Sequence, residues 1–156
     1  MSVASLFSRD NARTPMQWSD GRNAGFSDAD PWLPVNPDYK LINVSEQAER
    51  ADSVFSFYRQ LIALRRDPVY RETLVWGEFD PVYEEREGLL AYYRRSDRNL
   101  LILANLKAEP EEIDVGCVYR ILLDNLDPVN TRGNGTRERS QQRIQLQAWQ
   151  GVILEL

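Results

Sequence analysis

Histidine is absent from these 156 residues and cysteine occurs once, at Cys117. Without an imidazole there is no Ser-His-Asp or Cys-His catalytic group. Without a second thiol there is neither an intrachain disulfide nor a Cys/His metal cluster. A single thiol fits a reducing compartment, so a cytoplasmic location is the default expectation. No uninterrupted apolar run approaches the roughly 20 residues that cross a bilayer, and Met1 to Phe7 has neither the basic start nor the apolar length of a secretory signal. Gly-rich phosphate loops are missing too, and no cofactor or metal is expected. The charge balance, 24 acidic against 19 basic side chains for a net charge of −5, disfavours nucleic acid, which draws its affinity from excess Lys and Arg. The stretch from Thr131 to Arg143 is the local exception and reads as a solvated turn.

What is present is concentrated near the start. Residues 8 to 44 carry Pro15, Pro31, Pro34, Pro37, Gly21 and Gly25 among Asp, Asn and Ser, a density of turn formers that excludes long regular elements. Loops of this length are uncommon unless they are functional or disordered, and the interleaved Phe26, Trp32 and Tyr39 argue for order. The segment from Ser8 to Trp18 combines a guanidinium, an amide and aromatic surface, as a ligand loop does. Arg9 presents a planar donor fork that holds either two neighbouring sugar hydroxyls or a carboxylate. Taken alone, an arginine tying the loop to a carboxylate is the plainer reading. Asp10 and Arg13 are spaced to pair across a turn and brace the loop. Gln17 supplies an amide for sugar or for backbone. Trp18, Phe26 and Trp32 offer faces for a pyranose ring or for packing, and Asn23 to Phe26 reads as a tight turn with Gly25 supplying a permissive backbone.

From Asp52 to Arg66 the three-four spacing of Val54, Phe57, Tyr58, Leu61 and Ile62 predicts a helix, capped by Asp52 or Ser53 and stopped at Asp67-Pro68. Ser45 to Arg50 predicts a shorter helical turn before it. Beyond Pro68 the texture becomes strand-like: Leu74 to Trp76, Leu89 to Arg94, Leu100 to Leu106, Val118 to Leu123, Ile144 to Trp149 and Val152 to Leu156. Ile144, Leu146 and Ala148 alternate with Gln145, Gln147 and Trp149, giving one buried and one wetter face, whereas Leu100 to Ala104 reads as buried on both. Short strands at this spacing predict an antiparallel sandwich.

Read as SRDNARTPMQW followed by NAGF, PW and VNPDYK, the loop resembles the one after the last barrel strand in α-glucosidases of the α-amylase family (glycoside hydrolase family 13), the oligo-1,6-glucosidases and trehalose-6-phosphate hydrolases among them. A (β/α)8 barrel needs roughly 250 residues and does not fit in this chain. The resemblance therefore implies the C-terminal part of such an enzyme: residues 1–72 a remnant of the catalytic barrel with its last βα loop and last helix, residues 73–156 a C-terminal antiparallel β-sandwich, mainly β overall. It also implies that Arg9 contacts the non-reducing terminal glucose, with Gln17 as a second substrate-binding candidate and Asp10 and Arg13 bracing them. The catalytic carboxylates of the family follow earlier barrel strands and none of their motifs is here, so no catalytic residue is assigned and the isolated chain is expected to be inactive. The partners implied are the catalytic barrel and an oligosaccharide, with neither nucleic acid nor membrane. Val54, Phe57, Leu61 and Ile62, expected to face the missing barrel, point to self-association. The alternative is an autonomous noncatalytic carbohydrate-binding or assembly module.

Overall fold

A loop dense in proline and glycine has few ladder bonds to offer, and the segment from Arg13 to Asn43 is held instead by side chains that cap successive short turns. The computed structural model describes residues 13–116, 120–127 and 143–156. It divides into two units, the first ending at Ser56 and the second running Phe57–Leu156, with the division inside the first turn of a helix.

In the first unit, Arg22–Gly25 forms a tight turn in which Asn23, Ala24 and Gly25 all take positive φ, at 52°, 57° and 67°. Left-handed backbone is unfavourable for residues with a Cβ, and here it is over-determined. The fully buried Ala24 receives hydrogen bonds from the backbone N–H groups of Trp18 and Ser19 at 2.9 and 3.0 Å. Asn23 donates from Nδ2 to the carbonyls of Ser27 and Ala29. A Cβ on Gly25 would lie 2.6 Å from Ser19 Oγ, so the turn needs glycine there for space as well as for φ. A 3-10 turn at Pro37–Lys40 follows, capped by Asn36. Helix α1, Val44–Glu49, is capped by Asn43, whose side chain accepts from the Glu46 N–H at 3.0 Å.

Helix α2 spans Val54–Arg66. Of the two expected caps, Ser53 performs the task, accepting from the Ser56 N–H at 3.1 Å, while Asp52 pairs with Arg50. That guanidinium holds Asp52 below the ordinary carboxylate range, through its hydrogen bond first.

In the second unit the chain leaves α2 at Asp67-Pro68 and forms a further helix, α3, Arg71–Trp76. The strand expected at Leu74 to Trp76 is therefore corrected to helix. Its β-branched and aromatic residues read as strand, yet Asp67 turns the backbone by accepting from the N–H groups of Val69, Tyr70 and Arg71. Thr73 then anchors the helix by bonding Ser96 and Asp97 at 2.7 and 2.8 Å. Among the described residues seven strands follow: β1 Glu78–Pro81, β2 Leu89–Arg95, β3 Asn99–Asn105, β4 Glu111–Asp114, β5 Arg120–Asp124, β6 Arg143–Leu146 and β7 Gly151–Glu155. They make an antiparallel five-stranded sheet in the order β1-β2-β3-β7-β5 and a two-stranded sheet of β4 and β6.

Strand alternation sorts the side chains onto two faces. Leu101 and Leu103 of β3, with Ala91, Val152 and Leu154, pack against Ile113, Val115 and Leu146. This is the sandwich core, and each fully buried leucine contributes about 1.5–3 kcal/mol. Ile102, Ala104 and Ile153 on the opposite face line a cavity together with Phe57 and Leu61 of α2. Phe57 and Leu61 thus serve the sheet of their own unit and do not face outward as expected, whereas Val54 and Ile62 are exposed. The Tyr70 hydroxyl donates to the buried Glu155 at 3.0 Å and Arg98 pairs with the same carboxylate, tying the α2–α3 link to β7.

Candidate functional site

Gln17 and Trp18 are the hub of the first unit. Their carbonyls accept from the N–H groups of Val44 and Ser45 at 2.9 and 3.0 Å, which lays this short segment along the start of α1. The Ser45 hydroxyl adds a second bond to the Trp18 carbonyl at 2.9 Å. The Gln17 amide nitrogen donates to Asp38 Oδ1 at 2.8 Å and to the Ile42 carbonyl at 2.6 Å. Both of its N–H donors are thereby engaged.

Arg13 is exposed. Arg9 and Asp10 lie outside the described residues, as does Cys117. Asp20, Asp28 and Asp30 are exposed, and Asp30 pairs with Arg22 at 3.1 Å on the surface. The turn and the hub hold the backbone at Trp18 and Phe26, whose side chains are half exposed, and Trp32 is 85% exposed. An exposed indole offers an apolar face of the kind pyranose C–H groups contact. Among the described residues no group of three His, Cys, Asp or Glu is arranged to hold a metal ion, and no helix is long and apolar enough to cross a membrane.

Asp38 and Asn43 were not singled out by the sequence reading. Asn43 is buried, donates from Nδ2 to the Tyr39 carbonyl at 3.0 Å and caps α1. The polar residue just before a helical run was a usable signal for Asn43. Nothing local marks Asp38 as the partner of Gln17.

Comparison with known proteins gives a consistent set of likenesses. Residues 1–76 match the α-amylase catalytic-domain family. An oligo-1,6-glucosidase of Bacillus cereus is 42% identical over 129 residues, which is 78% of this chain and 22% of that protein. A glucan 1,6-alpha-glucosidase of Streptococcus pneumoniae is 40% identical over 80% of this chain and 23% of its own length. A trehalose-6-phosphate hydrolase of Escherichia coli is 38% identical over 74% of this chain and 21% of its own. Among solved structures, the trehalulose synthase of Pseudomonas mesoacidophila superposes with a TM-score of 0.80 at 34% identity, over 95% of this chain and 26% of that one. The chain thus spans between a fifth and a quarter of the length of these curated relatives.

Proposed function

The chain is related to the α-amylase-family glucosidases, and from that premise we propose that it is the C-terminal quarter of a retaining α-glucosidase acting on terminal α-glucosidic bonds of oligosaccharides. Residues 1–72 are the barrel remnant and residues 73–156 the β-domain in this reading. The observation that carries it is where the family match stops: residue 76 is Trp76, the last residue of α3, and the first strand begins at Glu78. The catalytic-domain resemblance thus covers the loop and helices, and the sheets follow it.

Within the parent enzyme, Arg9 clamps neighbouring hydroxyls of the non-reducing glucose with its planar fork. Asp10 and Arg13 brace the loop, and Gln17 sets its course through Asp38 and Ile42. The exposed ring of Trp32 is available to the oligosaccharide or to the barrel. A retaining mechanism needs two carboxyl groups about 5 to 5.5 Å apart; in this reading the missing barrel supplies them and the isolated chain turns nothing over. The single thiol supports a cytoplasmic location.

The test has two arms. The purified chain is assayed on isomaltose, maltose and an aryl α-glucoside, with no hydrolysis expected; turnover that disappears in Asp10→Asn or Asp28→Asn would overturn the reading. In the full-length parent, Arg9→Lys is expected to lower kcat/KM for a terminal glucoside by about 2 to 4 kcal/mol with the fold intact. Near-normal kcat/KM would return Arg9 to a structural role.

A further inference from the structure

The face of the five-stranded sheet turned away from the sandwich core, together with α2 and α3, lines a pocket of about 630 Å3 that is open to solvent on one side. That lies within the roughly 300 to 1,000 Å3 usual for small-molecule sites. Its walls are apolar, with Phe57, Leu61, Tyr92, Ile102, Ala104 and Ile153 prominent, and among the described residues its only charged lining residues are Arg65 and Arg94. Both touch the last carbonyls of α3: Arg65 Nη1 donates to Leu74 O at 3.3 Å and Arg94 Nη2 to Val75 O at 3.1 Å. Among the described residues neither guanidinium has a carboxylate at ion-pair distance. Moreover, Arg94 Nε is buried and has no hydrogen-bond partner among the described residues.

A buried cation is retained at a cost unless an anion or a set of acceptors satisfies it. Here Arg94 is half-buried with its Nε fully buried, and the exposed Arg65 stands at the same pouch of apolar surface. The walls call for a hydrocarbon tail and the cations for a single anionic head. We propose that this cavity binds a monocarboxylate with an apolar tail, its carboxylate received by Arg94 with Arg65 beside it and its tail laid against Ile102, Ala104 and Ile153. The Arg94 Nε–H and a terminal N–H form the fork that a carboxylate fits. Every lining residue comes from Phe57–Leu156, so the site is complete within one unit and needs nothing from the sugar-binding loop.

The purified chain is titrated with sodium decanoate below its micellar concentration, with decanol and with acetate, by calorimetry and by following the amide resonances of Ile102, Ala104 and Ile153. Decanoate is expected to bind one to one and shift those amides, decanol to bind at least about tenfold more weakly, and acetate not at all. Arg94→Gln is expected to weaken decanoate about ten- to hundredfold, the worth of a charged hydrogen bond. Arg65→Gln should do so less. Ala104→Leu, which fills the cavity without touching a charge, should abolish binding while the chain stays folded, and it carries the test if Arg94→Gln unfolds. Failure of decanoate to bind, equal binding of decanol, or binding that survives Ala104→Leu would overturn the proposal. So would binding to the isolated chain that is lost in the full-length parent, because a side chain of the barrel would then be the occupant.

Discussion

Gln17 and Asp38, 21 residues apart, are joined by a 2.8 Å hydrogen bond, and the same amide nitrogen donates to the Ile42 carbonyl at 2.6 Å. Gln17→Glu replaces the shared donor by a carboxylate aimed at Asp38. Local opening of the loop should become easier by about 1 to 3 kcal/mol, the penalty for unmaking bonds to partly buried partners. Hydrogen exchange reads this at Val44 and Ser45, whose N–H groups bond Gln17 and Trp18. Unchanged protection at both amides would show that Gln17 does not hold the loop.

Gly77 sits where α3 hands over to β1, and a Cβ there would fall 2.4 Å from the Thr73 carbonyl oxygen and 2.9 Å from that of Arg95. Both obstacles are backbone and cannot swing aside. Gly77→Ala should destabilise the second unit by about 1 to 3 kcal/mol or more, as overpacking does. Thermal melting checks it, and a Tm equal to that of the unaltered chain would contradict the close approach.

Asn105 is 1% exposed and bonds the Glu109 and Gln147 carbonyls at 2.8 and 3.0 Å while accepting from the Lys107 N–H at 3.1 Å. It pins the connection after β3 to the one after β6. Asn105→Ala strands three backbone groups together and should lose about 2 to 4 kcal/mol in urea unfolding. Asn105→Asp should lose as much or more, because a carboxylate oxygen would then face two carbonyls.

Lys107, and to a smaller extent Arg86, hold the Glu111 carboxylate below its ordinary value of 4.5. The folded chain therefore binds this proton less readily than the unfolded chain does. The stabilisation is complete above about pH 4.5 and is lost as the pH falls through the depressed folded value. Glu111→Gln should be less stable than the unaltered chain at pH 7, and the gap should narrow steadily below pH 4.5. A gap independent of pH would show that the pair contributes only packing.

Much of this fold was legible because particular residues carried a local signal. Leu100 to Ala104 is an apolar run with no polar alternation, and it forms a strand whose successive Leu100 and Leu101 are both fully buried. Ser53 stands one residue ahead of a three-four repeat, and it caps α2. Other features depend on distant partners. Glu78–Pro81 and Glu111–Asp114 are short and charged, and they are strands because β2 and β6 lie beside them. Leu74 to Trp76 has strand-like composition, but Asp67 and Thr73 commit it to helix. Of the candidate site, the turn at Asn23 to Gly25 was legible from its glycine, whereas the bonds from the Gln17 amide to Asp38 and Ile42 join residues far along the chain that nothing local marks. The strand over Leu89 to Arg94 was legible from its apolar residues, but nothing local revealed that among the described residues no carboxylate pairs with Arg94.

The strand order β1-β2-β3-β7-β5 puts β7 in the interior of the sheet, bonded on one side to β3 and on the other to β5. During translation, β3 therefore emerges with one edge unpaired and stays so until residue 155 has been made, and β5 has no place in the sheet before then. Pairings this distant in sequence are slow to close and leave strand edges open to other chains. A chain that ends before Gly151 leaves a three-stranded meander of β1 to β3 with an apolar edge strand, which is a substrate for chaperones or aggregation and not a smaller version of the domain.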